Sequence, residues 1–238
     1  MTKRSTVKTI LKYLANTLSI LLYPMLMPTY ATLLLIFSSP KSSIALLMLH
    51  QREALNMPIP TIDLTPWNSQ AVILLVFTII FTCIMPLAII LIMMRRGKVK
   101  NLYIEDRKQR TEPYIYSDIM YIAWCYFLWR QIQMPLVVVA MAAGATLALL
   151  CMTIINRYWK ISAHLCGFGS LIGFIAGWQW QTSLVTIWFV VALFGCALLL
   201  MYARLYLKSH TSLQVVCGFM LGFILTFLPA AILFPANQ

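Results

Sequence analysis

A chain of 238 residues that is 61% hydrophobic and only 10% charged lies outside the range of a soluble globular domain, where about a quarter of residues are charged. Its net charge of +12 does not mark a nucleic-acid partner, because the basic residues gather between apolar segments instead of alternating with polar and aromatic residues along one face. What remains is an integral membrane protein: an all-α, polytopic transmembrane helical bundle of about 6–7 spans, because several windows exceed the ~18 apolar residues needed to cross a bilayer core.

The basic stretch 1–12 leads into an apolar run too long for a signal peptide and without a small-residue cleavage site, so it is expected to be a retained anchor. Spans are expected at 14–37, 70–94, 113–129, 135–155, 162–181, 183–206 and 211–234. Pro24 and Pro28 must bend the first, and 43–50 reads as a re-entrant or interfacial piece. Asp118 makes the third span weak. Gly169, Gly173 and Gly177 in the fifth, and Gly218 and Gly222 in the seventh, recur every four residues. Such spacing lines one helix face with residues small enough for close backbone contact, so these two helices are expected inside the bundle. The six cysteines lie in apolar segments with no Cys-x-x-Cys pair, which argues against a disulfide framework or a zinc site and reads as small core residues. No internal repeat is visible, and one membrane domain, 1–238, accounts for the chain.

Counting alternate sides from the N-terminus, fifteen of the eighteen Lys and Arg residues fall on one side, with only Lys41, Arg52 and Arg130 on the other. The positive-inside rule makes the basic side cytoplasmic. With seven spans the C-terminus lies on the opposite side.

The polar residues that need explaining sit on that same basic side. Ser162 and His164 open the fifth span, Arg204 closes the sixth, and His210 and Gln214 enter the seventh. Ser162 and Thr211 or Ser212 suit helix N-caps, and two helix N-termini there present unpaired N–H groups and partial positive charge, which attract anions and phosphate above all. An arginine adds a planar fork matched to phosphate oxygens. Two imidazoles add groups that exchange protons near neutral pH or attack phosphorus. Each residue also has a plain reading: Arg204 and Lys208 as flanking positives, Ser162 as a cap, each histidine as a hydrogen-bonded interfacial residue. Their joint spacing and shared face favour phosphate-ester chemistry.

Ile161-Ser162-Ala163-His164 resembles the second motif, Pro-Ser-Gly-His, of the type 2 phosphatidic acid phosphatase superfamily, membrane lipid phosphatases related to vanadium haloperoxidases. Ala203-Arg204 through His210 to Gln214 is similar to its third, Ser-Arg, five residues, His, three residues, Asp, keeping the arginine and histidine without the serine and aspartate. Lys100 and Arg107 have the spacing of the first motif, Lys, six residues, Arg-Pro, but Lys108 stands where the proline would be. Arg110, Arg157 and Lys160 are rival phosphate ligands, and the stretch 95–110 also reads as an ordinary basic loop.

The resemblance implies a phosphatase-like core over about 95–235 with accessory spans in 1–94. It implies a nucleophilic His210, a His164 that protonates the leaving oxygen and activates water, and Arg204, Ser162 and one or more of Lys100, Arg107, Arg110 and Lys160 holding phosphate oxygens. No metal or cofactor is implied. The partners implied are a lipid phosphate substrate and bilayer lipids, in a bacterial inner membrane; no nucleic acid is expected, and the sequence does not set an oligomeric state. Most bacterial relatives present the site to the periplasm, whereas the charge count here points to the cytoplasm. Gln214 bears on the mechanism directly. A carboxylate there would accept the Nδ1 proton of the nucleophile and stabilise developing charge, whereas an amide is uncharged and can present either its oxygen or its NH₂ group. Two alternatives therefore stand beside a lipid phosphatase: a lipid-phosphate binder or scaffold of the same fold without turnover, and a transporter. The deep parts of the second, fourth and sixth spans carry no charge, which disfavours the transporter.

Overall fold

The computed structural model describes residues 3–38, 67–102, 104, 106–182 and 185–232. The expected re-entrant piece at 43–50 lies outside them. The described residues form helices joined by short turns, with no strand among them. We number the helices α1 (Lys3–Leu21), α2 (Met27–Ser38), α3 (Ser69–Ile79), α4 (Met85–Arg95), α5 (Arg107–Tyr126), α6 (Leu136–Asn156), α7 (Ala163–Thr182), α8 (Ile187–Tyr206) and α9 (Ser212–Ile232).

Prolines set several of the breaks. The expected first span divides at Tyr23, whose extended backbone leads into a 3₁₀ turn at Pro24–Leu26 before α2, because Pro24 cannot donate to a helical hydrogen bond and restricts the residue before it. A π-turn at Ile80–Ile84 joins α3 to α4 just ahead of Pro86. In α5 the helix begins well before Pro113 and carries it inside. The side chain of Asp106 starts that helix by accepting from Lys108 N–H at 3.0 Å.

Among the described residues, five helical stretches are long and apolar enough to cross a membrane: Thr6–Phe37, Ser69–Arg95, Leu136–Asn156, Ile187–Tyr206 and Ser212–Ile232. The other two expected spans are helical but outside that set. Five charged residues reduce the hydropathy of α5, and glycines, His164, Gln179 and Gln181 reduce that of α7. Yet α7 lies at the centre. Leu165, Phe168, Ile172, Phe174, Ile175 and Trp178 are all buried, and its most extensive partner is α9. Glycines permit this approach: a Cβ on Gly218 would lie 2.6 Å from the Ser162 carbonyl oxygen, and one on Gly222 would overlap the carbonyl of Cys166. Close backbone contact of this kind replaces the hydrophobic driving force that lipid surroundings remove.

Outward-facing side chains such as Leu198, Leu199, Ile154 and Leu213 are apolar and exposed, as a lipid-facing surface requires. The cysteines depart from the expectation of core positions. Cys166 is buried but Cys196 faces outward, since lipid is as apolar a surrounding for a thiol as the core is.

Candidate functional site

The segment between α8 and α9 explains how an arginine and a histidine six positions apart meet. Helix α8 ends with Lys208 N–H bonded to Leu205 O at 2.9 Å and Ser209 N–H bonded to Arg204 O at 3.1 Å. Lys208 adopts φ +54°. These are the two bonds and the left-handed residue of a Schellman turn, and they fold the chain back so that His210 returns toward Arg204. Both residues are buried, at 8% and 6% exposure.

Helix α9 then begins with a side-chain cap. Thr211 precedes it and Gln214 occupies its third position, and the Gln214 Oε1 atom accepts Thr211 N–H at 3.2 Å. The same oxygen lies 3.1 Å from His210 Nδ1. Gln214 O also accepts Ser162 N–H at 3.3 Å, tying the start of α7 to the start of α9.

Arg110, His164, Arg204 and His210 line one open cavity of about 730 Å³, with Tyr23, Tyr114, Ile104 and Pro113 among its other walls. They come from α5, α7, the end of α8 and the turn before α9, so all four element ends share one end of the bundle. A second cavity, apolar and lined by Ala31, Ala145, Ala148, Gly167 and Phe174 among others, shares Pro24, Tyr121, Leu149, Met152 and Ala163 with the first. The two therefore lie side by side across shared walls, one cationic and one apolar.

The candidate cations separate by position. Arg110 is buried at 5% exposure, and its Nε donates to Ile104 O at 2.5 Å, which turns its guanidinium into the cavity wall. Ile104 itself is held at φ +39° with its N–H on Asn101 Oδ1. Arg107 points elsewhere: it donates to the carbonyls of Asn156 (2.9 Å) and Arg157, capping the C-terminal end of α6, while Asn156 Nδ2 returns a bond to Arg107 O. Lys100 is exposed and does not line the cavity. Lys160 is half-buried, near enough for its charge to act on His210. Ser162 is fully buried, but the cavity wall is made by its neighbours Ala163 and His164. Its hydroxyl makes no hydrogen bond among the described residues, so it is not the side-chain cap that its position suggested.

His210 is neutral across the physiological range. Burial, and then the positive charge of Arg110, push its pKa from the usual 6.5 down to about 3; the hydrogen bond with Gln214 works the other way, and Arg204 and Lys160 add to the lowering. Because Gln214 Oε1 already faces a backbone donor, His210 meets an acceptor, so its Nδ1 carries the hydrogen and Nε2 keeps a lone pair. The amide thus presents its oxygen to the ring.

Two residues that spacing alone did not mark also reach the site. Ser19 O lies 3.1 Å from His164 Nε2, and the Tyr23 ring meets His164 edge-on at 5.5 Å. No pattern around Ser19 distinguishes it from other small polar residues in an apolar run. Compared with known proteins, the chain matches no family model, no curated protein and no solved structure.

Proposed function

We propose that the chain is a divergent member of the type 2 phosphatidic acid phosphatase superfamily, a multipass membrane hydrolase acting on a lipid phosphate monoester or diphosphate. The observation that carries this reading is the meeting of Arg110, His164, Arg204 and His210 on one cavity that shares walls with an apolar one. Arginine forks at two sides suit the equatorial oxygens of a transferring phosphoryl group. The adjacent apolar cavity suits the hydrocarbon of the same substrate: its lining residue Phe174 lies ~15 Å along α7 from His164 at the helical rise.

In this mechanism the Nε2 lone pair of His210 attacks phosphorus, the bond from phosphorus to the lipid oxygen breaks, and the phosphoryl group is carried on His210. His164, protonated in the substrate complex, gives its proton to the departing oxygen. It then takes one from the water that releases phosphate from His210. Arg110 and Arg204 balance the charge throughout. The predominance of Lys and Arg on the side of the site favours the cytoplasmic face by the positive-inside rule.

Phosphate binding without turnover is the second reading. It is favoured by the uncharged Gln214, since in a serine protease an amide in place of the orienting carboxylate costs about 10⁴-fold in rate. The fixed orientation of the Gln214 oxygen limits that loss to its charge component. Phosphate release from a panel of long-chain lipid phosphates by purified protein separates the two: release that disappears in His210→Ala supports hydrolysis, and binding of the same lipids without release supports the second.

A further inference from the structure

Ser19 contacts the site from an element that carries none of its motifs. Its carbonyl lies 3.1 Å from His164 Nε2, and its hydroxyl accepts from Arg204 Nη1 at 3.2 Å while donating to Ala15 O at 2.9 Å. The residue is 0% exposed. The direction of each bond is forced by the groups involved. A carbonyl only accepts, so His164 Nε2 carries a hydrogen and Nδ1 holds the lone pair; a guanidinium only donates, so the single Ser19 proton goes to Ala15.

The location follows from helix geometry. Ser19 lies in the last turn of α1, where carbonyls run out of intrahelical donors and partial negative charge accumulates. Leu18 O still receives Leu22 N–H, and Ile20 O receives Tyr23 N–H. Proline at 24 ends the helix there, which brings a helix C-terminus against two groups that donate hydrogen bonds. Ser19 is not part of the cavity wall, whereas His164 and Arg204 are. It therefore holds both from behind and leaves the space between them open.

We infer that Ser19 is a positioning residue of the proposed phosphate site: its hydroxyl aims Arg204 at the bound phosphate, and its carbonyl fixes His164 in the form that exchanges protons through Nδ1. The inference rests on the phosphate reading of the cavity. It makes α1 part of the working site as well as part of the membrane anchor.

The test is orthovanadate binding to the full-length protein in detergent, with Ser19→Ala and Ser19→Thr. Removing a hydrogen bond to a charged group weakens binding about tenfold or more in Ser19→Ala, and Ser19→Thr, which keeps a hydroxyl, restores it. Nitrogen NMR of labelled histidine shows His164 protonated at Nε2 both in the parent and in Ser19→Ala, which retains the carbonyl. Equal orthovanadate binding by the parent and Ser19→Ala, a loss that threonine does not restore, or a His164 protonated at Nδ1 alone overturns the inference and leaves the phosphate reading standing. Absence of orthovanadate binding by the parent overturns both.

Discussion

Gln214 Oε1 stands 3.1 Å from His210 Nδ1 and at the same time accepts the Thr211 backbone N–H at 3.2 Å. The backbone bond decides which end of the amide faces the ring. An oxygen held in this way makes Nδ1 the protonated nitrogen and leaves Nε2 free to act as a nucleophile, so a residue without charge still performs half of what a carboxylate would do there.

Gln214→Leu removes both bonds. We expect phosphate release to fall by tenfold or more and stability to fall by ~1 kcal/mol from the lost cap, measured by release assays and thermal unfolding in detergent. Gln214→Glu keeps the reach and the acceptor and adds the missing charge. It should release phosphate faster than the parent; a slower Gln214→Glu would contradict the orienting role.

The depressed pKa of His210 couples stability to pH. In the unfolded chain this ring takes up a proton near pH 6.5, but in the folded protein not until about pH 3. Between those values the unfolded state binds more protons, so folded stability falls as pH is lowered from 6.5 toward 3. His210→Gln should flatten that part of the stability profile. For the same reason the titration of His210 should add no acid limb near pH 6.5 to the kcat/KM of the parent, because the free protein already holds the ring neutral there.

Arg110 and Arg107 lie three residues apart on one helix and have different expected effects. Arg110→Gln should weaken orthovanadate binding by ~1.5–3 kcal/mol, and it also costs ~1 kcal/mol of stability because Ile104 O loses its donor. Arg107→Gln should leave orthovanadate binding unchanged and cost ~1–2 kcal/mol of stability, because the carbonyls of Asn156 and Arg157 lose their donor. Lys100→Ala should change neither.

Gly222, in the packing stripe of α9, contrasts with Gly195. A Cβ at Gly222 meets the Cys166 backbone, while at Gly195 it meets nothing within 4 Å. Gly222→Ala should therefore destabilise by ~1–3 kcal/mol or prevent folding, and Gly195→Ala should be neutral or stabilising by up to ~1 kcal/mol. Thermal unfolding of the two variants in the same detergent checks this.

Much of this arrangement was legible in the sequence. Glycines every four residues placed α7 and α9 inside the bundle, the prolines at 24 and 28 placed a bend in the first span, and shared sidedness placed His164, Arg204 and His210 together. The choice among Lys100, Arg107 and Arg110 was not legible, because all three lie in one basic stretch and only the cap on α6 draws Arg107 away. The threonine and glutamine three apart at 211 and 214 form a capping-box pattern, a local signal sufficient to orient the Gln214 oxygen. Ser19 had no such signal: its partners lie 145 and 185 residues away, and nothing local in α1 encodes them.

The most direct test of hydrolysis through His210 is capture of the phosphorylated protein. Purified protein is mixed with a long-chain lipid phosphate carrying radiolabelled phosphate and quenched in alkali, in which phosphohistidine survives. Label on His210 in the parent, with neither label nor phosphate release in His210→Ala, is the predicted result. Phosphate release by His210→Ala at the parent's rate would contradict it.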